Sequence, residues 1–416
     1  MELRGGGGAM TAVAEPEGTA AEQPVVLQAG FRPFFLLGTL YAAAALAVWL
    51  LIFAGVVLPW PGTWPVIYWH GHEMLFGFVT TAIAGFLLTA VPNWTGTPRV
   101  AGRPLALLVA AWLLGRSALW GALWLPAWSP SWLVAFADLL FLPALAFAVG
   151  RPILRAGKRH NYPVLGVLVL LTAANLLMHA AVLGIVPFGV RMGLHASLYL
   201  VCALLAIIAG RIVPLFTRNT LRGSGVAVEV ESGAWVERAL VPVMGFAVVA
   251  LVLRPASPAA GVACLACGAL LVLRQVRWQP QRTLGVPILW VLHVGHAWLA
   301  FGFLCLGANV FSPVLPASTA LHALSAGALG TMIVGVMTRV SLGHSGREIR
   351  ATPLVVAAYA LVIAGGAIRV LGPLLFPDAY RTTVLWAGTT WSSGYILAAI
   401  ACWPVLTQPR VDAVAE

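Results

Sequence analysis

Twelve long apolar stretches constrain this chain more than any other feature of its sequence. Each runs for about 18 to 25 residues between Pro, Gly or charged residues, the length a helix needs to cross bilayer hydrocarbon. Hydrophobic residues make up 61% of the chain and charged residues 9%, which excludes a soluble globular protein. We predict an all-α polytopic membrane protein with twelve transmembrane helices. The predicted spans are 36–58, 70–92, 104–124, 130–149, 162–186, 191–213, 238–254, 257–275, 285–310, 317–340, 353–375 and 381–405.

The Lys and Arg residues outside these spans concentrate in the loops after spans 2, 4, 6, 8 and 10. This bias predicts that both termini lie in the cytoplasm. The net charge of +11 is then mostly topological, so we predict no nucleic-acid partner. Residues 1–30, rich in Gly, Ala and Glu, are predicted to be a disordered cytoplasmic tail without a cleaved signal peptide. Residues 31–408 form one membrane domain, and 409–416 form a C-terminal tail.

Spans 2, 6 and 10 share a short motif that indicates an internal repeat. The motif reads IAG, IAG and IVG, and its glycines are 125 residues apart: Gly85, Gly210 and Gly335. A further glycine, Gly96, comes after span 2, and its counterpart Gly346 comes after span 10. Gly96 follows Gly85 by the same number of residues as Gly346 follows Gly335. We therefore predict three pseudo-repeats of four helices each. Their ranges are 31–155, 156–280 and 281–408.

Seven histidines fall in the middle and outer layers of this predicted bundle, where outer means opposite the termini. A lone membrane histidine is most often hydrogen-bonded to a neighbouring helix. Seven in adjoining layers favour metal binding, because neutral imidazole is the usual protein ligand of haem iron and copper. The predicted metal ligands are His70, His72, His179, His195, His293, His296 and His322.

Helical spacing groups some of these side chains. His293 and His296, three residues apart, share a helix face, as do His195 and Tyr199, four apart. His70 and His72 point about 200° from each other, so at most one of them faces a given centre.

Few other ionisable side chains lie inside the spans. Glu73 is interpreted as orienting an imidazole, carrying protons, or being solvated at the interface. Asp138 is the natural structural partner for one of two arginines, Arg116 in span 3 or Arg369 in span 11. The functional interpretation is that an arginine neutralises a propionate or other buried anion. All five cysteines lie inside spans and are interpreted as buried thiols, and the C-x-x-C-H motif of c-type haem attachment is absent.

Three sequence segments carry a family resemblance. HGHEMLFGF from His70, followed by IAGFLLTAVPNWTG, and FRPFF at 31–35 resemble the signature of the NnrS family. The similarity runs from about Phe31 to Gln408. The family consists of bacterial membrane proteins that contain haem and copper and are linked to nitric oxide and nitrosative stress. The resemblance implies a bacterial inner-membrane location, b-type haem, and copper as a further candidate cofactor.

The predicted architecture is also similar to the catalytic subunit of haem-copper oxidases and nitric oxide reductases. That similarity implies His72 and His322 as ligands of a low-spin haem. It implies His195 as a copper ligand, and Tyr199 completes the His-x-x-x-Tyr pattern. Span 7 lacks the expected histidine pair, and span 10 has one histidine where two are expected. Copper binding would then require the two histidines of span 9.

These patterns predict a membrane metalloenzyme that binds nitric oxide at haem iron and reduces or detoxifies it. Tyr199 and Glu73 are the candidate catalytic residues, while Arg116 and Arg369 are the candidate haem-binding arginines. The electrons would come from quinol or a redox protein partner, because no soluble redox domain is evident. One alternative is a non-catalytic haem protein that binds or senses nitric oxide. Another is a transporter for a metal or small anion, although a three-fold repeat differs from the inverted two-fold repeats of many transporters.

Overall fold

Twelve long helices make up most of the part of the chain that the structure describes. The computed structural model describes residues 23–58, 64–223, 225, 229–312 and 316–411, and it contains no strand within those ranges. The first eleven helices are long and apolar enough to cross a membrane. This confirms the predicted all-α polytopic membrane protein. The helices are α1 Phe31–Phe53, α2 Val66–Thr95, α3 Gly102–Trp124, α4 Ser131–Ala156, α5 Arg159–Val182, α6 Val190–Gly223, α7 Ala234–Leu253, α8 Pro258–Val276, α9 Pro287–Phe311, α10 Ala317–His344, α11 Pro353–Leu375 and α12 Tyr380–Thr407.

The helices alternate in direction, so the chain begins and ends on one side of the bundle. Arg32, near the start of α1, donates hydrogen bonds to the carbonyl oxygens of Leu406 (3.0 Å) and Gln408 (2.7 Å) at the end of α12. We call this side the terminal end and the opposite side the distal end. Most of the predicted N-terminal tail and residues 412–416 lie outside the described residues. The described part of that tail includes a short 3₁₀ turn, Val25–Leu27.

Contacts between helices link the bundle into a ring. Helix α4 packs on α5, α8 packs on α9, and α12 returns to α1. The division into three sets of four helices stays a prediction. Helices α2, α6 and α10 contact one another inside this ring.

The three motif glycines lie where a neighbouring helix packs closely against α2, α6 or α10. A Cβ added to Gly85, Gly210 or Gly335 would approach a neighbouring side chain to 2.8 Å or less. The side chains concerned are Phe35, Arg274 and Val291. Close packing therefore explains why glycine recurs at this position of the repeat.

Two π-helical segments interrupt α2 and α10 at equivalent positions. They cover Glu73–Val79 and Ala323–Leu329. Their separation in the sequence is twice the 125 residues between successive motif glycines. Each segment directly follows a histidine. A π-turn holds one residue more than an α-turn and therefore changes the direction of the side chains before it. No such segment occurs in α6. Gly96 and Gly346 have φ angles of 70° and 71° in the turns after α2 and α10, a backbone conformation that favours glycine.

Candidate functional site

A cavity of about 520 Å³ lies toward the distal end of the bundle, among α1, α2, α6, α10, α11 and α12. Three histidines line it: His70, His195 and His322, one each from α2, α6 and α10. Each lies within the first two turns of its helix. Helices α2, α6 and α10 run in the same direction and contact one another. Their first turns, and with them the three imidazoles, therefore lie at the same level of the bundle. The volume is within the range of pockets that enclose small organic ligands or cofactors.

The histidine rings differ in what they contact. His322 Nδ1 donates a hydrogen bond to the Ser318 carbonyl oxygen at 2.7 Å, which leaves Nε2 unprotonated and able to bind a metal. His70 stacks on Trp49 with ring centroids 4.6 Å apart, and its Nδ1 is buried with no hydrogen-bond partner. The His195 ring centroid is 6.1 Å from that of Tyr199.

Aromatic side chains and two arginines complete the cavity wall. The aromatic residues are Trp49, Phe53, Tyr68, Phe78, Tyr380 and Trp391. Arg369 hydrogen-bonds Tyr380 and is close enough to His70 and His322 to interact with them electrostatically. Arg191 also lines the cavity and is exposed. Neither guanidinium pairs with a carboxylate among the described residues. The cavity therefore suits a large apolar ligand with acidic groups at its edge and a metal that takes imidazole ligands.

Beside the cavity, a buried ion-pair cluster joins α1 to α5. Arg116 donates a hydrogen bond to Glu73 Oε1 at 2.5 Å and another to Asp138 Oδ1. Glu73 Oε2 also accepts from the Tyr41 hydroxyl. Glu73 is fully buried and Arg116 only 5% exposed, so the cluster must satisfy its charges internally. The pairing of Asp138 with an arginine that the sequence suggested is present, with Glu73 as a second partner.

His72 and His179 belong to this cluster, and neither lines the cavity. His72 Nδ1 is 2.9 Å from Glu73 Oε1, and its Nε2 is 2.9 Å from Asn175 Oδ1. His179 Nε2 lies 2.9 Å from Asp138 Oδ2. The ligand atoms of His72, Asp138 and His179 lie within 4.8 Å of one another, which is close enough to hold a metal ion. In the structure, hydrogen bonds already occupy these atoms.

The structure therefore does not bring His72 and His322 together, although the sequence had predicted that pairing. Instead His322 shares the cavity with His70 and His195. His70 and His72 are two positions apart on α2, so their rings point in different directions, as their spacing predicts. Arg116 likewise lies in the cluster, so of the two predicted haem-binding arginines only Arg369 lines the cavity.

His293 and His296 lie near the terminal end and do not join the cavity. His293 Nε2 is 3.0 Å from Thr217 Oγ1, and His296 Nδ1 is 2.8 Å from Gln275 Oε1. Thr217 follows His195 by 22 residues on α6, which is about 33 Å along a helix. A centre shared with the cavity histidines is therefore excluded.

Each of these two rings keeps one buried nitrogen without a partner, Nδ1 of His293 and Nε2 of His296. The Gln275 amide also donates to the His293 carbonyl oxygen at 3.0 Å. This bond orients the amide so that its oxygen accepts from His296 Nδ1, which leaves Nε2 as a free acceptor. The pair is a second candidate metal site.

Sequence reasoning missed several contributors to these sites. Asn175 lies four residues before His179, and Arg191 lies four before His195, so helical spacing could have indicated both. Trp49 and Tyr41 come from α1, and no local pattern indicates which side chains of other helices they contact.

The fold and the cavity define a polytopic helical membrane protein with a histidine-lined site at one end of its bundle. The family model described as NnrS protein matches residues 25–410. The chain belongs to the NnrS family. No curated protein matches the sequence.

Proposed function

We propose that this protein is an integral membrane haem protein of the nitric oxide response, which binds nitric oxide at haem in the distal cavity and reduces or detoxifies it. The observation that carries the proposal is the convergence of three imidazoles and two guanidiniums on one aromatic-walled cavity, neither guanidinium having a carboxylate partner among the described residues. The NnrS family membership supports the link to nitric oxide. A bacterial inner membrane with both termini in the cytoplasm is part of the proposal.

Different residues of the cavity would bind different parts of the haem. His322 would supply Nε2 to the iron, since its other nitrogen is fixed by the Ser318 carbonyl. Arg369 and Arg191 would pair with the propionates. Trp49 and Trp391 would exclude water from the ring faces. When bound, haem supplies an iron that takes up a diatomic ligand and exchanges electrons. His70 and His195, on the other cavity walls, would face that ligand.

Catalysis places further demands on the chain. Reduction of nitric oxide consumes electrons, which quinol or a redox protein partner would deliver. It also consumes protons, and no carboxyl group lines the described cavity. Glu73, a predicted catalytic residue, is bound to Arg116 in the cluster. Tyr199 contacts His195 and remains the nearer candidate proton donor. The lack of a lining carboxyl group favours a second candidate function, nitric oxide binding without turnover.

The proposed function is tested by the optical spectrum of the purified protein. We expect a Soret band that shifts when nitric oxide is added. His70→Ala and His195→Ala should change the nitric oxide-bound spectrum, whereas His160→Ala, an exposed histidine near the terminal end, should not. Absence of a Soret band in protein purified from haem-replete cells would refute the proposal and leave the transporter.

Copper belongs to the second candidate site in this proposal. The free nitrogens of His293 and His296 suit a metal that accepts two imidazoles. We expect the double variant His293→Ala/His296→Ala to lose copper, by metal analysis, and to keep its Soret band. Loss of haem together with copper would contradict two separate sites.

A further inference from the structure

A second, smaller cavity lies deeper in the bundle, at mid-height between the two ends. Its volume is about 70 Å³, and its walls come from α2, α6 and α10, with Phe35 of α1. These are the three helices that meet inside the ring. We call this cavity the apolar chamber.

Every side chain that lines the apolar chamber is a hydrocarbon, an aromatic ring or a thioether. The lining includes Ile83, Leu204, Met332 and Ile333, each at most 8% exposed. Other lining residues are half-buried, so the chamber is partly open; they are Ala82, Phe86, Leu205 and Val336. A buried water molecule needs about two to four polar partners, and none of these side chains provides one. The chamber therefore favours an occupant that makes no hydrogen bonds.

The size of the chamber restricts that occupant further. Its volume exceeds the roughly 10–15 Å³ that one water-sized sphere needs. It is smaller than the engineered cavity of about 150 Å³ that binds benzene or xenon. One or two molecules of diatomic size, or a single xenon atom, match this volume.

The apolar chamber adjoins the histidine cavity. Val79 and Leu329 line both spaces. They are the last residues of the two π-helical segments, so the same distortions that direct the histidine-bearing turns also border the chamber. A molecule in the chamber would therefore lie beside the histidine cavity, against the aliphatic side chains of Val79 and Leu329.

We propose that the apolar chamber is a binding site for small uncharged gas molecules and holds them beside the histidine cavity. Binding in the chamber requires no metal and is independent of the proposed function. We call a second role the store: the chamber would hold nitric oxide for the histidine cavity. This role rests on the proposed function.

Xenon tests the binding site directly. We expect crystals of the purified protein under xenon pressure to show anomalous density between Leu204 and Met332. Ala82→Phe, which places a ring in the chamber, should abolish that density. Ala90→Phe is the matched control, because Ala90 lies two turns further along α2 and lines neither cavity.

A second variant, expected to raise xenon occupancy and not to abolish it, tests the proposal if Ala82→Phe does not fold. Leu204→Ala enlarges the chamber and should raise xenon occupancy. Wild-type crystals with no xenon in the chamber, or with ordered water there, would overturn the proposal. Equal xenon density in wild type and folded Ala82→Phe would overturn it too.

The store is tested by rebinding of nitric oxide after a light flash. If haem is present, we expect a rebinding phase that xenon pressure and Ala82→Phe both remove, while Ala90→Phe retains it. An unchanged phase would refute the store alone. Xenon density in a protein without haem would support the binding site and refute the proposed function, so the two failures are distinguishable.

Discussion

At the residue scale, the two arginines predicted to bind haem differ in their partners. Arg116 is paired with carboxylates, and Arg369 is available to a ligand in the cavity. Arg116 has two carboxylate partners and does not line the cavity. Arg369 has a hydroxyl partner and faces the cavity. The two arginines look alike in the sequence, since each is a single cation in an apolar span. Only the positions of Glu73 and Asp138 in space distinguish a structural arginine from one available to an anion.

Removal of Arg116 should therefore affect folding more than haem binding. Arg116→Ala leaves two buried carboxylates without their cation, and we expect the free energy of unfolding to fall by about 3–5 kcal/mol. Denaturation in detergent measures this loss. Arg103→Ala, an exposed arginine at the start of the same helix, is the control and should change stability little. Equal stability of the two variants would contradict the account of the cluster.

At the element scale, the π-helical segments are the features that the sequence did not predict. Long apolar runs locate helices well, and eleven of the twelve helices meet simple criteria of length and hydropathy. Periodicity alone could not show that α2 and α10 contain an extra residue per turn directly after their histidines. The sequence already paired Gly96 with Gly346 as support for a repeat, and their shared left-handed conformation gives that correspondence a physical reason.

Shortening the π-helical segment of α10 should disrupt the histidine cavity. Deletion of Ser325 would restore α-helical hydrogen bonding and turn the first turns of α10, with His322, by about 100°. We expect loss of bound haem with helix content, measured by circular dichroism, nearly unchanged. Ser325→Ala keeps the residue count and should retain haem. Full haem in the deletion variant would show that the π-turn does not position His322.

At the scale of the whole molecule, contacts among three helices explain which histidines meet. Helices α2, α6 and α10 contact one another, so their first turns bring His70, His195 and His322 together. The three-fold repeat stays a prediction from the sequence, and the contacts among these three helices are compatible with it. The separation of His293 and His296 from that cavity was not predicted, because it depends on which residues of other helices they contact, Thr217 of α6 and Gln275 of α8.

The sequence also suggested His72 as the partner of His322, since both lie thirteen residues before a motif glycine. The structure gives these two histidines different surroundings. His72 contacts Glu73 and Asn175 in the cluster, and His322 lines the cavity. Equivalence in a repeat fixes the depth of a residue, while its direction depends on the local turn and on the helices beside it.

We propose that haem binds in the cavity beside His322 and not at the cluster that contains His72. The most direct measurement is the haem bound per folded protein in His322→Ala and in His72→Ala, purified side by side. We predict that His322→Ala loses its haem. His72→Ala should fold less well and keep haem in the folded fraction. Equal loss of haem in both variants, or full haem in His322→Ala, would contradict the account.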